Sequence, residues 1–147
     1  TGIEQGFQNA VAGADEILIV TTPEVSAVRD ADRIIGLVEA GEKGPPRLII
    51  NRIKADMVRR GDMLDVSDVL EILRIELIGI VPEDEHIIVS TNRGAPVAHE
   101  PSVPAAMAFR NISRRLLGED VPYLVMGASP TFFDRLKRLI GPKPEAR

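Results

Sequence analysis

The sequence contains no cysteine, which excludes a disulfide framework and any thiolate metal site. Aromatic residues are nearly as scarce: no tryptophan, one tyrosine and four phenylalanines in 147 residues. Two of those phenylalanines stand side by side at 132 and 133, where a core would not need them. The two histidines, His86 and His99, are isolated, with no metal-ligand spacing around either. No apolar run approaches the roughly 20 residues that a membrane-spanning helix needs, and no secretory signal opens the chain. These absences give the expectation of a cytoplasmic chain that holds no metal. A net charge of −4 argues against nucleic acid as the main partner.

What is present begins with a core's worth of apolar residues, 44% of a chain about one domain long. The charge is unevenly spread. Residues 131–147 carry a net +3, which leaves the first 130 at −7. Within that basic tail Phe132, Phe133, Leu136, Leu139 and Ile140 fall on one face of a helix, opposite Asp134, Arg135, Lys137 and Arg138. Such a helix suits a membrane interface; packing against its own domain is the competing reading. The expected organisation is a body over 1–118, a Pro/Gly linker over 119–130, an amphipathic helix over 131–141 and a disordered end over 142–147.

In the body, Ile3, Phe7 and Val11 predict a short helix ending near Gly13. Glu16 to Thr21, Arg47 to Ile53 and Glu76 to Val81 are apolar runs of strand type. Thr22-Pro23-Glu24 predicts a helix start, with Thr22 as cap and Pro23 in the first position. That helix runs to about Ala40, ends at Gly41, and buries Ala27, Val28, Ala31, Ile34, Ile35 and Val38. Gly44-Pro45-Pro46 is a loop. Lys54 to Leu64 reads as polar and irregular. Val66, Val69, Leu70 and Leu73 predict a helix capped by Asp65 or Ser67. Ile87 to Asn92 fits a short helical turn better than a strand, and Gly94 to Pro104 reads as a loop. A last helix, capped by Ser102 and ending at Gly118, is expected to turn Ala105, Phe109, Ile112 and Leu116 inward and Arg110, Arg114 and Arg115 outward.

Continuous apolar strands alternating with helices predict an α/β fold with a mostly parallel sheet covered on both faces. Three strands are few for such a sheet, Thr1 is not an initiator methionine, and the first helix is already under way. The expectation is that further strands precede Thr1, and that the first strand's open edge is an association hazard.

Ligands of open α/β sheets sit beyond the carboxyl ends of the strands, where Asn51-Arg52 and Pro82-Glu83-Asp84-Glu85 fall. An amide suits a purine edge, and a guanidinium can stack on a base and reach phosphate. The alternative is that Asn51 merely ends a strand and Arg52 is solvated. The polar face of the second helix, with Arg29, Asp32 and Arg33, is either solvated or a partner surface.

The stretches GIEQGF, TTPEVSAVRDADRI, INRI, RRGDMLDVSDVLEIL, IGIVPEDE and STNRGAPV, in this order, resemble the MinD family of deviant Walker-type ATPases, which position bacterial and plastid division sites. The resemblance covers nearly the whole chain and ends with the amphipathic tail. It implies the C-terminal half of a three-layer P-loop NTPase domain of the SIMIBI class. Gly2 and Glu4 would be the remnant of switch II, where Thr1 replaces the usual alanine. Asn51 and Arg52 would contact adenine, and the Pro82-Glu83-Asp84 loop would hold the base from the other side, largely through backbone. The segment with Glu24, Ser26, Arg29, Asp30, Asp32 and Arg33 would meet the partners MinC and MinE. The family's cofactors are ATP and Mg²⁺, but no G-x-x-x-x-G-K-[ST] run occurs here. The resemblance therefore assigns no catalytic residue and no Mg²⁺ ligand to this chain, which alone is expected neither to hydrolyse ATP nor to bind it tightly.

The resemblance further implies an ATP-dependent homodimer, peripheral on the inner face of the cell membrane through anionic lipid. Each basic side chain near such a surface contributes about 1 kcal/mol. Two tails on one dimer raise avidity by about 10² to 10⁴. A non-catalytic, membrane-tethered interaction module is the alternative of a different class. Chromosome-partitioning and flagellar-number ATPases of the same fold are the nearest rivals, and match less well in RGDML, VPEDE and the tail.

Overall fold

In the computed structural model, residues 3–123 are described. Gly2 and the tail residues Phe132, Phe133, Arg135, Leu136, Lys137, Arg138, Leu139 and Ile140 lie outside them. Three strands, β1 (Leu18–Thr21), β2 (Arg47–Ile53) and β3 (Glu76–Pro82), lie in the order β1-β2-β3 and all pair in parallel. Parallel neighbours need long crossovers. The chain supplies α2 (Val25–Ala40) between β1 and β2, and α3 (Ala55–Arg60) with α4 (Val66–Leu73) between β2 and β3. The remaining helices are α1 (Ile3–Ala12), which contains Glu4, α5 (Glu85–Asn92) and α6 (Pro104–Leu116), with one 3-10 turn at Val97–His99.

β2 and β3 are packed on both faces, as their apolar runs lead one to expect, whereas β1 at the sheet's edge is covered on one face only. On one face Ile19, Leu48, Ile50 and Leu77 meet Val28, Ala31 and Ile35 of α2 and Val66, Val69, Leu70 and Leu73 of α4. On the other, Val81 and Ile49 meet Ala105, Ala106, Ala108 and Ile112 of α6. On β1 the side chains alternate: Ile19 and Thr21 are buried, whereas Leu18 and Val20 are exposed.

The structure corrects five local expectations. Thr22 does not cap α2. Glu24 is the N-cap residue, without a side-chain hydrogen bond, and no acid lies in the first turn. Pro23 is buried and its carbonyl accepts the Leu64 N–H at 3.2 Å, so Thr22-Pro23 is packed connection rather than helix. Lys54 to Leu64 is not wholly irregular, because α3 forms there and closes on Gly61 at φ 78°. That helix buries no residue, so it writes no apolar stripe for periodicity to find. Its Arg60 pairs with Asp56 at 3.2 Å and with Asp62 at 2.9 Å.

Ser102 does not cap α6. Val103 is the N-cap residue, makes no side-chain bond, and is followed by Pro104. The inward face of α6 is Ala105, Ala106, Ala108 and Ile112, while Phe109 and Leu116 stay partly exposed. Finally, Arg110 and Arg115 do not point out to water. Arg110 donates to the carbonyls of Ala98 (2.7 Å) and Pro101 (3.0 Å). Arg115 donates to those of Ile78 (2.9 Å), Val121 (3.0 Å) and Pro122 (3.0 Å). Between its two alternatives for α4, the structure selects Asp65, which forms a reciprocal capping box with Asp68, a device typically worth about 1 kcal/mol.

Candidate functional site

β2 and β3 end side by side, and their last residues break the regular ladder. Register is lost between Ile50 and Ile53 and regained where Ile53 faces Pro82. The interruption is Asn51-Arg52. Arg52 has φ 60°, a left-handed conformation that costs a non-glycine residue energy and recurs at ligand sites. Asn51 supports it locally, because its Oδ1 accepts the Arg52 N–H at 3.0 Å. The polar pair inside an otherwise apolar strand is thus a built kink, and it turns the Arg52 side chain towards β3.

There Arg52 meets Glu83. Its Nε donates to Oε2 at 2.7 Å and its second nitrogen to Oε1 at 3.4 Å. The arginine holds the Glu83 carboxyl below the ordinary carboxylate range, and Glu83 in turn raises the arginine's pKa. The Glu83 N–H donates to the Ile53 carbonyl at 3.0 Å, extending the strand pairing one residue past Pro82.

Asp84 then caps α5. Its side chain is 8% exposed and accepts from the His86 backbone N–H at 3.0 Å and from the His86 ring Nδ1 at 2.8 Å. It also accepts from the backbone N–H of Ala105, in the first turn of α6, at 3.3 Å. Burial works against the charge, but these donors overcome it and hold the carboxyl below its ordinary value. The stabilisation this gives is fully present above the unfolded value of about 4 and is lost as pH falls through the lowered one.

All five sequence-predicted base-contact residues, Asn51, Arg52, Pro82, Glu83 and Asp84, therefore meet at the carboxyl ends of β2 and β3. The carboxylates of Glu83 and Asp84 and the carbonyl of Asn51 are already engaged by protein donors. What the site offers a ligand is the Asn51 amide N–H groups, the face of the Arg52 guanidinium and the backbone of 82–84. Such a set suits the edge and face of a flat heterocycle. Beside it opens a cleft of about 570 Å³, lined among others by Glu24, Arg52, Lys54, Met63, Asp65 and Glu83.

Glu24, Ser26, Arg29, Asp30, Asp32 and Arg33 are all exposed on the outer side of α2, away from its buried Val28, Ala31, Ile35 and Val38. Asp30 and Arg33 form a loose pair at 3.9 Å. They form a surface separate from the base-contact residues, except that Glu24 at the start of α2 lines the same cleft as Arg52 and Glu83. Among the described residues no cluster of His, Asp and Glu could hold a metal ion, and no helix is long and apolar enough to cross a membrane.

Sequence reasoning missed the contact between Asp84 and Ala105. The missing signal is an absence: α6 starts on Val103-Pro104 without a cap of its own, and a distant acceptor fills the place.

No family model matches the chain. It is 54% identical over 140 residues to the septum site-determining protein MinD of Synechocystis, covering 93% of this chain and 52% of that protein. The MinC:MinD cell division protein complex of Aquifex aeolicus matches in structure with a TM-score of 0.81 at 50% identity, over 86% of this chain and 52% of the solved one. The Pyrococcus horikoshii septum site-determining protein MinD, solved with Mg-ADP, shares the fold at a TM-score of 0.59 and 23% identity. The chain spans about half the length of the curated relatives it matches.

Proposed function

This chain matches the C-terminal part of MinD, the septum site-determining family, and we propose that it supplies the base-binding, partner-binding and membrane-binding surfaces of an ATP-dependent division-site switch. The observation that carries the reading is the convergence of Asn51-Arg52 with Pro82-Glu83-Asp84 at the ends of adjacent parallel strands, where open α/β sheets bind ligands. Asn51 and the backbone of 82–84 hold the adenine edge, and Arg52 lies over its face. Glu83 keeps Arg52 in place. ATP with Mg²⁺, when bound, supplies the phosphoryl group whose loss resets the switch. The phosphate cradle and the metal's ligands are not assigned to any residue of this sequence, which holds no phosphate-loop motif.

The exposed side of α2, with Glu24, Ser26, Arg29, Asp30, Asp32 and Arg33, is the surface for MinC and MinE; the Aquifex complex supports the first of these. ATP closes a homodimer, and two tails acting together hold anionic lipid where one is weak. MinE-stimulated hydrolysis releases them, so the protein cycles between the cytoplasm and the inner face of the membrane.

The 147-residue chain alone should leave ATP turnover at background, and fusing the N-terminal part of the Synechocystis relative ahead of Thr1 should give turnover. Hydrolysis by the chain alone, or none by a folded fusion, would contradict the reading. The membrane part is tested by sedimentation with anionic vesicles. Changing Phe132 and Leu136 together to glutamate should reduce the bound fraction at least about tenfold, since it deletes much of the apolar face and adds two like charges. Unchanged binding would sink it.

A further inference from the structure

The loop from Pro82 to Asp84 is held at both ends. At its start, Pro82 faces Ile53 in the sheet and the Glu83 N–H donates to the Ile53 carbonyl. At its end, one nearly buried carboxylate receives three N–H groups, two from His86 and one from Ala105. The first anchor belongs to the sheet. The second joins the loop to the starts of α5 and α6 together.

Resting on the reading that this loop faces a base, we infer that Asp84 is the positioning residue of the site, fixing the path of the backbone offered to the base without touching it. Three features carry the inference. The Asp84 side chain is 8% exposed, so its oxygens are turned into the protein rather than towards a ligand. Its Oδ1 serves α5 and its Oδ2 serves α6, so the carboxylate is spanned between two elements and its orientation is set by both. Moreover α6, the farther of the two, is itself packed on the sheet. Its Ala105, Ala106 and Ile112 are buried against β3, and Arg115 ties its last turn to the Ile78 carbonyl. The loop is therefore referenced to the sheet at both ends, by a backbone hydrogen bond on one side and by a side chain on the other. Removing the side chain leaves Pro82 in register and frees the peptide groups after it.

An ordinary helix cap would explain the bonds to His86 but not the third, which crosses to an element 21 residues away. A cap alone also predicts loss of stability without any change in ligand affinity. The two roles separate in one experiment on the 147-residue chain, using adenosine as probe and backbone amide spectra as readout. In the wild-type chain adenosine should shift the amides of Asn51, Arg52 and Glu83. Asp84→Ala should weaken adenosine about tenfold, and Asp84→Asn, which keeps an acceptor oxygen but loses the charge, by less. Exchange at the His86 and Ala105 amides should accelerate together in both variants while Leu48 and Ile50 stay protected.

Equal adenosine affinity in a folded Asp84→Ala chain overturns the inference, as does an Ala105 amide that exchanges no faster. If Asp84→Ala fails to fold, Asp84→Asn decides by the same two criteria. Asn51→Ala separates this inference from the reading beneath it. Affinity lost in Asn51→Ala but kept in the Asp84 variants removes only the role of Asp84, whereas no adenosine-induced shift in the wild type removes the base site itself.

Discussion

Replacing Gly79 by alanine should destabilise the chain by about 2 to 3 kcal/mol, measured as urea unfolding followed by circular dichroism. The expected sign is not the one backbone entropy predicts. At a strand position with an ordinary φ, Gly→Ala stabilises by about 0.4 to 1 kcal/mol through the unfolded state. Here a Cβ would meet Ile112 side-chain carbons at 2.3 and 2.4 Å, inside any real contact distance. Ile112 has little freedom to yield. It is 6% exposed in the α6–β3 layer, and a β-branched side chain in a helix has one strongly preferred χ1. The helix cannot lift cheaply either, since Asp84 holds its first turn and Arg115 its last. Steric cost therefore exceeds the entropic gain. Removing the obstacle should remove the cost: Ile112→Ala alone loses about 2 to 5 kcal/mol, and in that background Gly79→Ala should be within about 0.5 kcal/mol of neutral. Additive losses in the double mutant would refute this packing account.

Arg115→Ala should cost about 3 kcal/mol, from charged hydrogen bonds to the Ile78, Val121 and Pro122 carbonyls. The guanidinium also lies 3.9 Å from the centre of the Tyr123 ring, whose hydroxyl donates to the Leu77 carbonyl at 2.5 Å. Arg115 and Tyr123 together fasten residues 121–123 beneath α6 and across the start of β3. An ammonium lacks the planar fork that reaches three acceptors. Arg115→Lys should therefore recover less than half of the loss, and Tyr123→Phe should lose about 1 kcal/mol. If Arg115→Lys unfolds at the wild-type urea midpoint, the arginine acts only as a charge and the fork is irrelevant.

These two contacts also mark where sequence reasoning stopped. The strands were legible because EILIVT, RLIINRI and ELIGIV are dominated by apolar, largely β-branched residues; that β1 leaves one face uncovered was not. The inner face of α2 was legible because burial follows its period. Helix α3 was not, since it buries nothing. Periodicity puts Arg110 and Arg115 opposite the core and so in water, and nothing in a pattern of apolar positions says that loop carbonyls will recruit a guanidinium. Gly79 was read as part of a strand, without the reason for a glycine there, which lies in a helix that comes about 30 residues later.

The site divides in the same way. Asn51-Arg52 announced itself as a polar break in an apolar strand, and Pro82-Glu83-Asp84 as an acidic loop after one. Their meeting followed from the parallel topology. The left-handed backbone of Arg52, its pair with Glu83 across 31 residues, and the double anchorage of Asp84 did not follow. Each depends on which strand ends lie adjacent and at what register, and no local spacing encodes that.

The central claim is that the ends of β2 and β3 form the base-binding part of a nucleotide site. The most direct test is a titration of the 147-residue chain with adenosine and, in parallel, with guanosine, read at the backbone amides. The account predicts adenosine-induced shifts confined to Asn51, Arg52, Ile53 and residues 83–86, with guanosine much weaker. Shifts elsewhere, for instance at the opposite end of the sheet around Arg74 and Glu76, equal responses to the two nucleosides, or no response to adenosine at millimolar concentration would contradict it.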